Sequence, residues 1–361
     1  MKKGRFRHLL ILLLLLLAGG GVVRLWFYIE EQLQPILIPV NQAYSGYSNL
    51  PKKVLGLQLE PFMFKGWDGG EVQAAIVSKE GEESSRQLTV MSDLSAHPVE
   101  QLEVIDYVLV CVDWDHGIRS ALPLAESLTA AGLKCVLWDP RGLNDRRPYC
   151  THGLKESRDV PHLIDALEQK NKDKKPVVVA VGQGYGAGLL LHAAAQDSRI
   201  QGLAAIDAYA SLRQSVKRTL PDSLLTPVML EMMNLRMERT LGMECFDVAP
   251  VEQASFINRD VPVLVVHLTQ DNPVCTLGDT LTIYRRLRSD RREVWAMLAD
   301  HAIPALTAPQ KEILPEVKQL SDEENAMTSL VHWLDGPVAD SILSPHIADP
   351  ARPVPTSDLH L

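Results

Sequence analysis

The chain has 361 residues, of which 46% are hydrophobic and 22% are charged. This composition predicts one large globular domain with a substantial core, or two smaller domains. The net charge of -9 is modest and spread along the chain, so there is no electrostatic case for nucleic acid as a partner. None of the five cysteines has the CxxC spacing typical of a metal site, and no loop predicts a bound cofactor.

An apolar segment lies near the N-terminus. Basic residues precede a run from Leu9 to Val23, and a second apolar patch extends to Ile29. About 20 apolar residues are enough to span a bilayer, so we interpret residues 1–30 as an uncleaved signal anchor. The basic flank then places the N-terminus in the cytoplasm and the rest of the chain on the other side of the membrane. The alternative is a signal peptide cleaved near Ala18–Gly21, which would release a secreted protein.

Composition divides the remaining chain into three parts. Residues 31–53 contain several prolines and are predicted to form an extended linker. Residues 54–334 are predicted to form the folded domain, which begins with antiparallel strands at a sheet edge between Val54 and Val90. Residues 335–361, rich in proline and small polar residues, are predicted to be a disordered tail.

From Tyr107 onward, short and wholly apolar runs alternate with helical patterns. The apolar runs are Tyr107–Val112, Lys134–Trp138, Pro176–Val181, Gly202–Ile206, Pro262–Leu268 and Glu293–Leu298. Such runs are typical of parallel strands that are buried on both faces. The pattern predicts an α/β fold with a doubly wound, mostly parallel sheet. The interval of about 208–260 is too long for a simple crossover and is predicted to be a helical cap insertion, with its methionines as core residues.

One glycine-rich turn carries the clearest functional signal. An apolar strand leads into Gly182-Gln183-Gly184-Tyr185-Gly186, and small residues then begin a helix. This is the context of the G-x-S-x-G nucleophile elbow, with Gly184 at the central position. A dinucleotide-binding loop is the alternative interpretation, but the glycine spacing does not fit, and only Asp207 is placed to bind a ribose.

Other polar residues follow the predicted strands. His116-Gly117 comes after the first parallel strand, where hydrolases place oxyanion-hole amides, and His116 is expected to be a loop residue beside that hole. Asp271 and His301 follow the last two strands, so the chain has the order elbow, acid, histidine. Asp207, after the strand that precedes them, is a second candidate acid and pocket residue, together with Gln183.

On these residues the chain resembles the α/β-hydrolases, and most closely the membrane-anchored bacterial Bem46-like and dienelactone-hydrolase-like proteins. The resemblance covers residues 107–334. It implies an α/β-hydrolase fold in which Asp271 is the triad acid and His301 the triad base. It also implies an oxyanion hole formed by the amides of Tyr185 and Gly117. Gly184 then stands at the nucleophile position, so the chain departs from the family's catalytic pattern.

Three functions follow from this departure. The first is a non-catalytic protein that binds a small molecule or a protein ligand at the membrane. The second is a hydrolase or other enzyme in which an Asp271–His301 dyad acts as general base on water without a serine nucleophile. Replacement of the nucleophile by Cys150 or Cys275 belongs with this second function. The third is a purely structural envelope protein with a filled pocket.

Overall fold

The computed structural model describes residues 20–21, 23–33, 53–54, 56–79, 105–112, 118–138, 140, 150–172, 175–244, 246–268, 272–298, 306–321 and 323–338. The predicted site residues His116, Gly117, Asp271 and His301 lie outside these ranges, as do residues 1–19 of the predicted anchor. Within the described residues, no helix is long and apolar enough to cross a membrane.

A ten-stranded sheet runs through the domain in the order β1-β2-β3-β5-β4-β6-β7-β8-β9-β10. The strands are β1 Lys53–Val54, β2 Leu57–Lys65, β3 Glu71–Lys79, β4 Tyr107–Cys111, β5 Cys135–Trp138, β6 Val178–Gln183, β7 Ile200–Ile206, β8 Val263–His267, β9 Arg292–Ala296 and β10 Lys318–Gln319. Strands β4 to β10 pair in parallel, whereas β1 to β3 pair antiparallel at one edge. The predicted doubly wound sheet with an antiparallel edge is therefore confirmed.

Helices cover both faces of this sheet. They are α1 (residues 23–33), α2 Ile118–Ala130, α3 Asp159–Lys170, α4 Tyr185–Gln196, α5 Leu212–Thr219, α6 Thr226–Leu241, α7 Pro250–Ala254, α8 Leu277–Arg286, α9 Ala308–Lys311 and α10 Glu323–Trp333. One core cluster joins one face of the strands to α3, α4, α7 and α8, and a second joins the other face to α2 and α10. Each central strand is thus buried on both sides, which explains why the strands are continuous apolar runs in the sequence.

The interval between β7 and β8 contains α5, α6 and α7, and we call residues 208–260 the cap. Met229, Met233 and Met237 lie on one face of α6 and are buried in a third apolar cluster. Their spacing of four residues repeats one position on a helix, so these methionines are core residues, as predicted. The same cluster includes Ile29 and Leu33 of α1, so the helix at the start of the chain packs against the cap.

Two boundaries differ from the prediction. Helix α1 continues through residues 31–33, which the sequence analysis assigned to the linker, because Leu33 is buried against the cap. At the other end, a π-helical turn covers Leu334–Val338, where the sequence analysis begins a disordered tail at residue 335. Val338 is fully buried, and its side chain lies over Gly202, where any larger residue would collide with it. The apolar contact therefore orders a segment whose composition is typical of disorder.

Candidate functional site

A sharp turn joins β6 to α4 at Gly184. Its backbone angles are φ 55° and ψ -118°. The turn occurs at the carboxyl end of a central parallel strand, the edge at which open α/β sheets place their ligands. Angles of this kind belong to the mirror-image turn conformations that side chains disfavour and glycine adopts at little cost. The amide of Gly184 donates a hydrogen bond of 2.8 Å to the carbonyl oxygen of Ile206 on β7, so the turn is held by the neighbouring strand.

The flanking glycines are required by close packing. A Cβ atom on Gly186 would lie 2.1 Å from the carbonyl oxygen of Cys111 on β4. One on Gly182 would lie 2.6 Å from the Cα atom of Ala187. Both distances are far shorter than van der Waals contact with backbone atoms that cannot move aside. The G-x-G-x-G pattern therefore lets α4 begin directly against β4 and β6.

Helix α4 is central to the domain, and its residues from Tyr185 to Ala194 are all buried. Tyr185 is its first residue, so its amide lies at the helix N-terminus, where backbone amides and the helix dipole favour negative charge. This is the position predicted for one oxyanion-hole amide. Gln183, the last residue of β6, is half-buried and lies beside Ile206 in the sheet register. The predicted residues Gln183, Gly184 and Tyr185 thus form one continuous turn.

A buried polar cluster lies behind the turn, and the sequence analysis did not find it. Glu156 is fully buried and accepts hydrogen bonds from the Thr151 amide at 2.7 Å, the Thr151 hydroxyl at 2.5 Å and the Gly153 amide at 2.9 Å. Burial raises the pKa of Glu156, and these hydrogen bonds oppose the rise because they favour the carboxylate. We call Cys150, Thr151, His152, Gly153 and Glu156 the Glu156 loop.

The side chain of Tyr185 points into this loop. Its ring meets the ring of His152 edge to face, with centroids 6.3 Å apart. Burial raises the pKa of the Tyr185 hydroxyl well above its usual value, and the nearby Cys150 and Glu156 raise it further. A neutral phenol and a buried thiol therefore face each other beneath the turn. Cys150 is a buried thiol of this cluster, and its Sγ atom accepts a hydrogen bond of 3.3 Å from the amide of His152.

Asp207 follows β7 and has a left-handed backbone, with φ 49°. It is buried, and its Oδ1 atom accepts a hydrogen bond of 2.8 Å from the amide of Leu268. The Nδ1 atom of the buried His267 lies 3.2 Å from the same oxygen, within ion-pair distance but outside hydrogen-bond geometry. The Asp207 carboxylate therefore ties β7 to the segment that leaves β8 toward Asp271. Its role as the second candidate acid stays a prediction.

The segment after Asp271 is also tied to the cap. Arg218 on α5 donates to the carbonyl oxygens of Pro273 at 2.7 Å and Val274 at 3.1 Å, and its Nη2 atom lies 2.5 Å from the Oδ2 atom of Asp279. Asp279 is buried and also caps α8, where it accepts from the amide and the hydroxyl of Thr276. One arginine thus holds the cap against the loop that is predicted to carry the acid. Arg218 and this loop lie far apart in sequence, and no motif predicts their contact.

The predicted catalytic residues Asp271 and His301 and the predicted oxyanion-hole residues His116 and Gly117 lie outside the described residues. Strand β8 precedes Asp271, β9 precedes His301, and β4 precedes His116 and Gly117. All three strands run parallel to β6. The carboxyl ends of these strands therefore lie at the same edge of the sheet as Gly184. Among the described residues, no group of three or more His, Cys, Asp or Glu side chains is arranged to hold a metal ion.

Comparison with known proteins gives likeness in structure alone. No family model matches the sequence, and no curated protein matches it either. Among solved structures, the Pyrococcus furiosus esterase Pf2001 aligns over 79% of this chain and 95% of its own, with 13% identity and a TM-score of 0.53. The 2,6-dihydroxy-pseudo-oxynicotine hydrolase aligns over 78% of this chain and 68% of its own, with 12% identity and a TM-score of 0.51. The topology and these likenesses together show that the chain has the α/β-hydrolase fold.

Proposed function

We propose that the chain is a membrane-anchored, hydrolase-like protein in which Gly184 replaces the catalytic nucleophile. In this proposal the protein binds a small molecule or a protein ligand and does not cleave an ester. The observation that carries the proposal is the turn at Gly184, with φ 55° and ψ -118° between a central strand and a buried helix. Acyl transfer on this fold needs an oxygen nucleophile at the elbow, and glycine has no side chain to supply one.

The close packing around the turn supports a retained binding site. Gly182 and Gly186 still allow strand and helix to approach each other, and the Tyr185 amide still lies at a helix N-terminus. An oxyanion hole holds a carbonyl or carboxylate oxygen whether or not a nucleophile stands beside it. We therefore propose that the amides of Tyr185 and Gly117 bind such an oxygen on the ligand.

Asp271 and His301 enter the proposal as a polar pair at the same edge of the sheet. Their place after β8 and β9 is the order in which hydrolases of this fold carry acid and base. Without a serine, the imidazole of His301 would donate or accept a hydrogen bond to a bound ligand. The same pair acting as general base on water is the competing function, and the experiment below separates the two.

The location of the protein rests on the N-terminal sequence. The apolar run from Leu9 to Val23 and its basic flank favour an anchor in the bacterial inner membrane, with the N-terminus in the cytoplasm. Helix α1, which continues this run, packs against the cap through Ile29 and Leu33. Cleavage near Gly20 would leave α1 intact, so the packing is compatible with a secreted form as well. Detection of the mature N-terminus by mass spectrometry would separate the two.

The test measures turnover and binding in the full chain. Wild type and His301→Ala are purified in detergent and assayed with p-nitrophenyl butyrate and p-nitrophenyl octanoate, and octanoate binding is followed by calorimetry. The proposal predicts no turnover above buffer in either protein and saturable octanoate binding by wild type. Turnover by wild type that His301→Ala abolishes would overturn it in favour of the general-base enzyme. The absence of both turnover and octanoate binding in wild type would favour a purely structural protein.

A further inference from the structure

Helix α1 and the cap form one packed unit. Ile29 and Leu33 are 1% and 0% exposed, and they lie in the same apolar cluster as Met233, Met237 and Phe246 of the cap. Removing aliphatic side chains of this size from water stabilises the contact through the hydrophobic effect. The contact is therefore strong enough to hold the cap against the start of the chain.

An ion pair fixes the same contact. The Nε atom of Arg236 on α6 lies 2.5 Å from the Oε1 atom of Glu30 on α1, and both side chains are about two-thirds or more buried. Partly buried charge-assisted hydrogen bonds are directional, so they set the register of one helix against the other. Leu25 and Tyr28 also pack partly against the cap cluster, so the contact begins near the N-terminal end of α1.

The outward faces of both helices mix large apolar residues with charged ones, since Glu31 is exposed on α1 and Glu231 and Glu238 are exposed on α6. On α1, Val23, Trp26 and Phe27 are 55%, 37% and 69% exposed. On α6 and the residues just before it, the large exposed apolar residues are Leu224 at 99%, Leu225 at 55%, Val228 at 49% and Leu235 at 44%. Val228 and Leu235 are seven residues apart and so lie on one face of α6. We call these seven residues the apolar outer surface, since large apolar residues exposed on two packed helices are candidates for an interaction site.

We propose that the apolar outer surface lies in the headgroup region of the bilayer that holds the N-terminal anchor. This inference rests on the anchoring proposed above. The predicted span extends to Ile29, and the cap already covers one side of α1 from Leu25 onward. With a rise of 1.5 Å per residue, Val23 and Ile29 are only about 9 Å apart along the helix axis. The cap therefore sits within roughly 10 Å of the end of the apolar run, which is about the depth of the headgroup layer.

The residue types on this surface fit a lipid interface. Tryptophan and phenylalanine are favoured at the level of the headgroups, where one side of the ring meets acyl chains. The exposed charges on the same two helices have both signs, with Arg24 and Arg239 beside Glu31, Glu231 and Glu238.

The test measures depth in the membrane at single positions. Full-length chain carrying Cys245→Ser is reconstituted into phosphatidylethanolamine–phosphatidylglycerol liposomes, since the other four cysteines are buried. A nitroxide label is attached at Leu224→Cys or Val228→Cys, and at Met63→Cys as the matched control. Met63 is an apolar residue of β2 that is 52% exposed and lies outside the apolar outer surface. Power saturation then compares collisions with oxygen, which partitions into lipid, and with a water-soluble nickel chelate.

The proposal predicts that labels at 224 and 228 collide more with oxygen, and that the label at 63 collides more with nickel. Protein that pellets with the liposomes but shows aqueous labels at 224 and 228 would overturn the proposal and leave the anchor intact. Protein that stays in the supernatant would overturn the anchor as well. Strong dipolar broadening between labels at 224, together with exclusion of oxygen, would assign the surface to a second copy of the chain and also overturn the proposal.

Discussion

The amide of Gly184 lies 2.8 Å from the carbonyl oxygen of Ile206 and donates a hydrogen bond to it. The pairing of β6 with β7 therefore continues up to the turn residue itself. Because the strand holds Gly184 on one side and the buried helix α4 on the other, its φ of 55° cannot relax without breaking this bond. We expect Gly184→Ala to destabilise the domain by roughly 1–3 kcal/mol, the usual range for a side chain in a sparsely populated backbone region. Urea unfolding measures the change, and a neutral Gly184→Ala would contradict the assigned turn geometry.

Gly186 tests the close approach of helix and strand. We expect Gly186→Ala to destabilise the domain by more than about 3 kcal/mol, because the new Cβ would overlap the carbonyl group of Cys111. Gly278→Ala is the matched control within a helix, since its Cβ would meet only side-chain atoms, those of Gln310 at 3.1 Å and Thr276 at 3.5 Å. That control should change the free energy of unfolding by about 1 kcal/mol or less. Equal effects of the two substitutions in urea unfolding would disprove the packing argument.

We expect the buried His192 to make the free energy of unfolding depend on pH. It lies in the buried part of α4, its Nε2 atom has no hydrogen-bond partner among the described residues, and burial lowers its pKa to about 4. The unfolded chain, with an ordinary histidine pKa, binds a proton between about pH 6.5 and 4 that the folded chain does not. This contribution to stability is therefore complete above pH 6.5 and is lost as the pH falls toward 4. The loss amounts to about 3 kcal/mol.

The variant His192→Leu isolates this effect. It removes the titrating group and keeps a buried side chain of similar size, so its stability should fall less than that of wild type between pH 7 and pH 4. Other groups, such as Glu156 with its raised pKa, titrate in both proteins and cancel in the comparison. Thermal unfolding at several pH values in this range gives the dependence of stability on pH for each protein. The same dependence in both would show that His192 is protonated without penalty.

Substitutions of Asp207 distinguish a positioning role from a catalytic role for this residue. Asp207→Asn keeps an oxygen acceptor for the Leu268 amide and tolerates the left-handed backbone, so its cost should be about 1 kcal/mol or less. Asp207→Ala loses the hydrogen bond and adds a left-handed alanine, which together cost about 2–4 kcal/mol. If Asp207 were the acid of a triad, the asparagine variant would abolish any hydrolytic activity restored by Gly184→Ser. Retained activity in that double variant supports the positioning role.

Arg218 tests whether the cap is fixed to the site. Arg218→Met leaves the buried Asp279 without its cation and frees the carbonyl group of Pro273, whereas the Val274 carbonyl still accepts from the Ser215 hydroxyl. We expect a loss of about 2–3 kcal/mol in the free energy of unfolding. Arg213→Met is the matched control on the same helix, since its partners Glu231 and Asp247 are mostly exposed. Its loss should stay within about 1 kcal/mol, and a similar loss for both variants would show that the tie is unimportant.

The central sheet could be predicted from the sequence because strands that are buried on both faces leave continuous apolar runs. All six predicted parallel strands are present, with boundaries that differ by at most two residues. The turn at Gly184 was also predictable, because the close approach at Gly182 and Gly186 tolerates glycine only. Local sequence therefore identifies those features whose physical requirements are local.

Contacts between distant segments could not be predicted in this way. Arg218 and Asp279 are 61 residues apart, and Tyr209 donates to the carbonyl oxygen of His152 from 57 residues away. The Glu156 loop was missed because nothing in its own sequence shows that Tyr185 covers it. The roles of Asp271, His301, His116 and Gly117 stay predictions, since those residues lie outside the described part of the chain.

The most direct test of the account is ester hydrolysis by Gly184→Ser. The full chain is assayed on p-nitrophenyl butyrate beside wild type, Gly184→Ala and the double variant Gly184→Ser/His301→Ala. The alanine variant carries the same backbone penalty without a hydroxyl, so it controls for changes in folding. The account predicts activity in Gly184→Ser alone, since only that protein has both nucleophile and base. Wild-type activity equal to that of Gly184→Ser, or an inert and correctly folded Gly184→Ser, would contradict it.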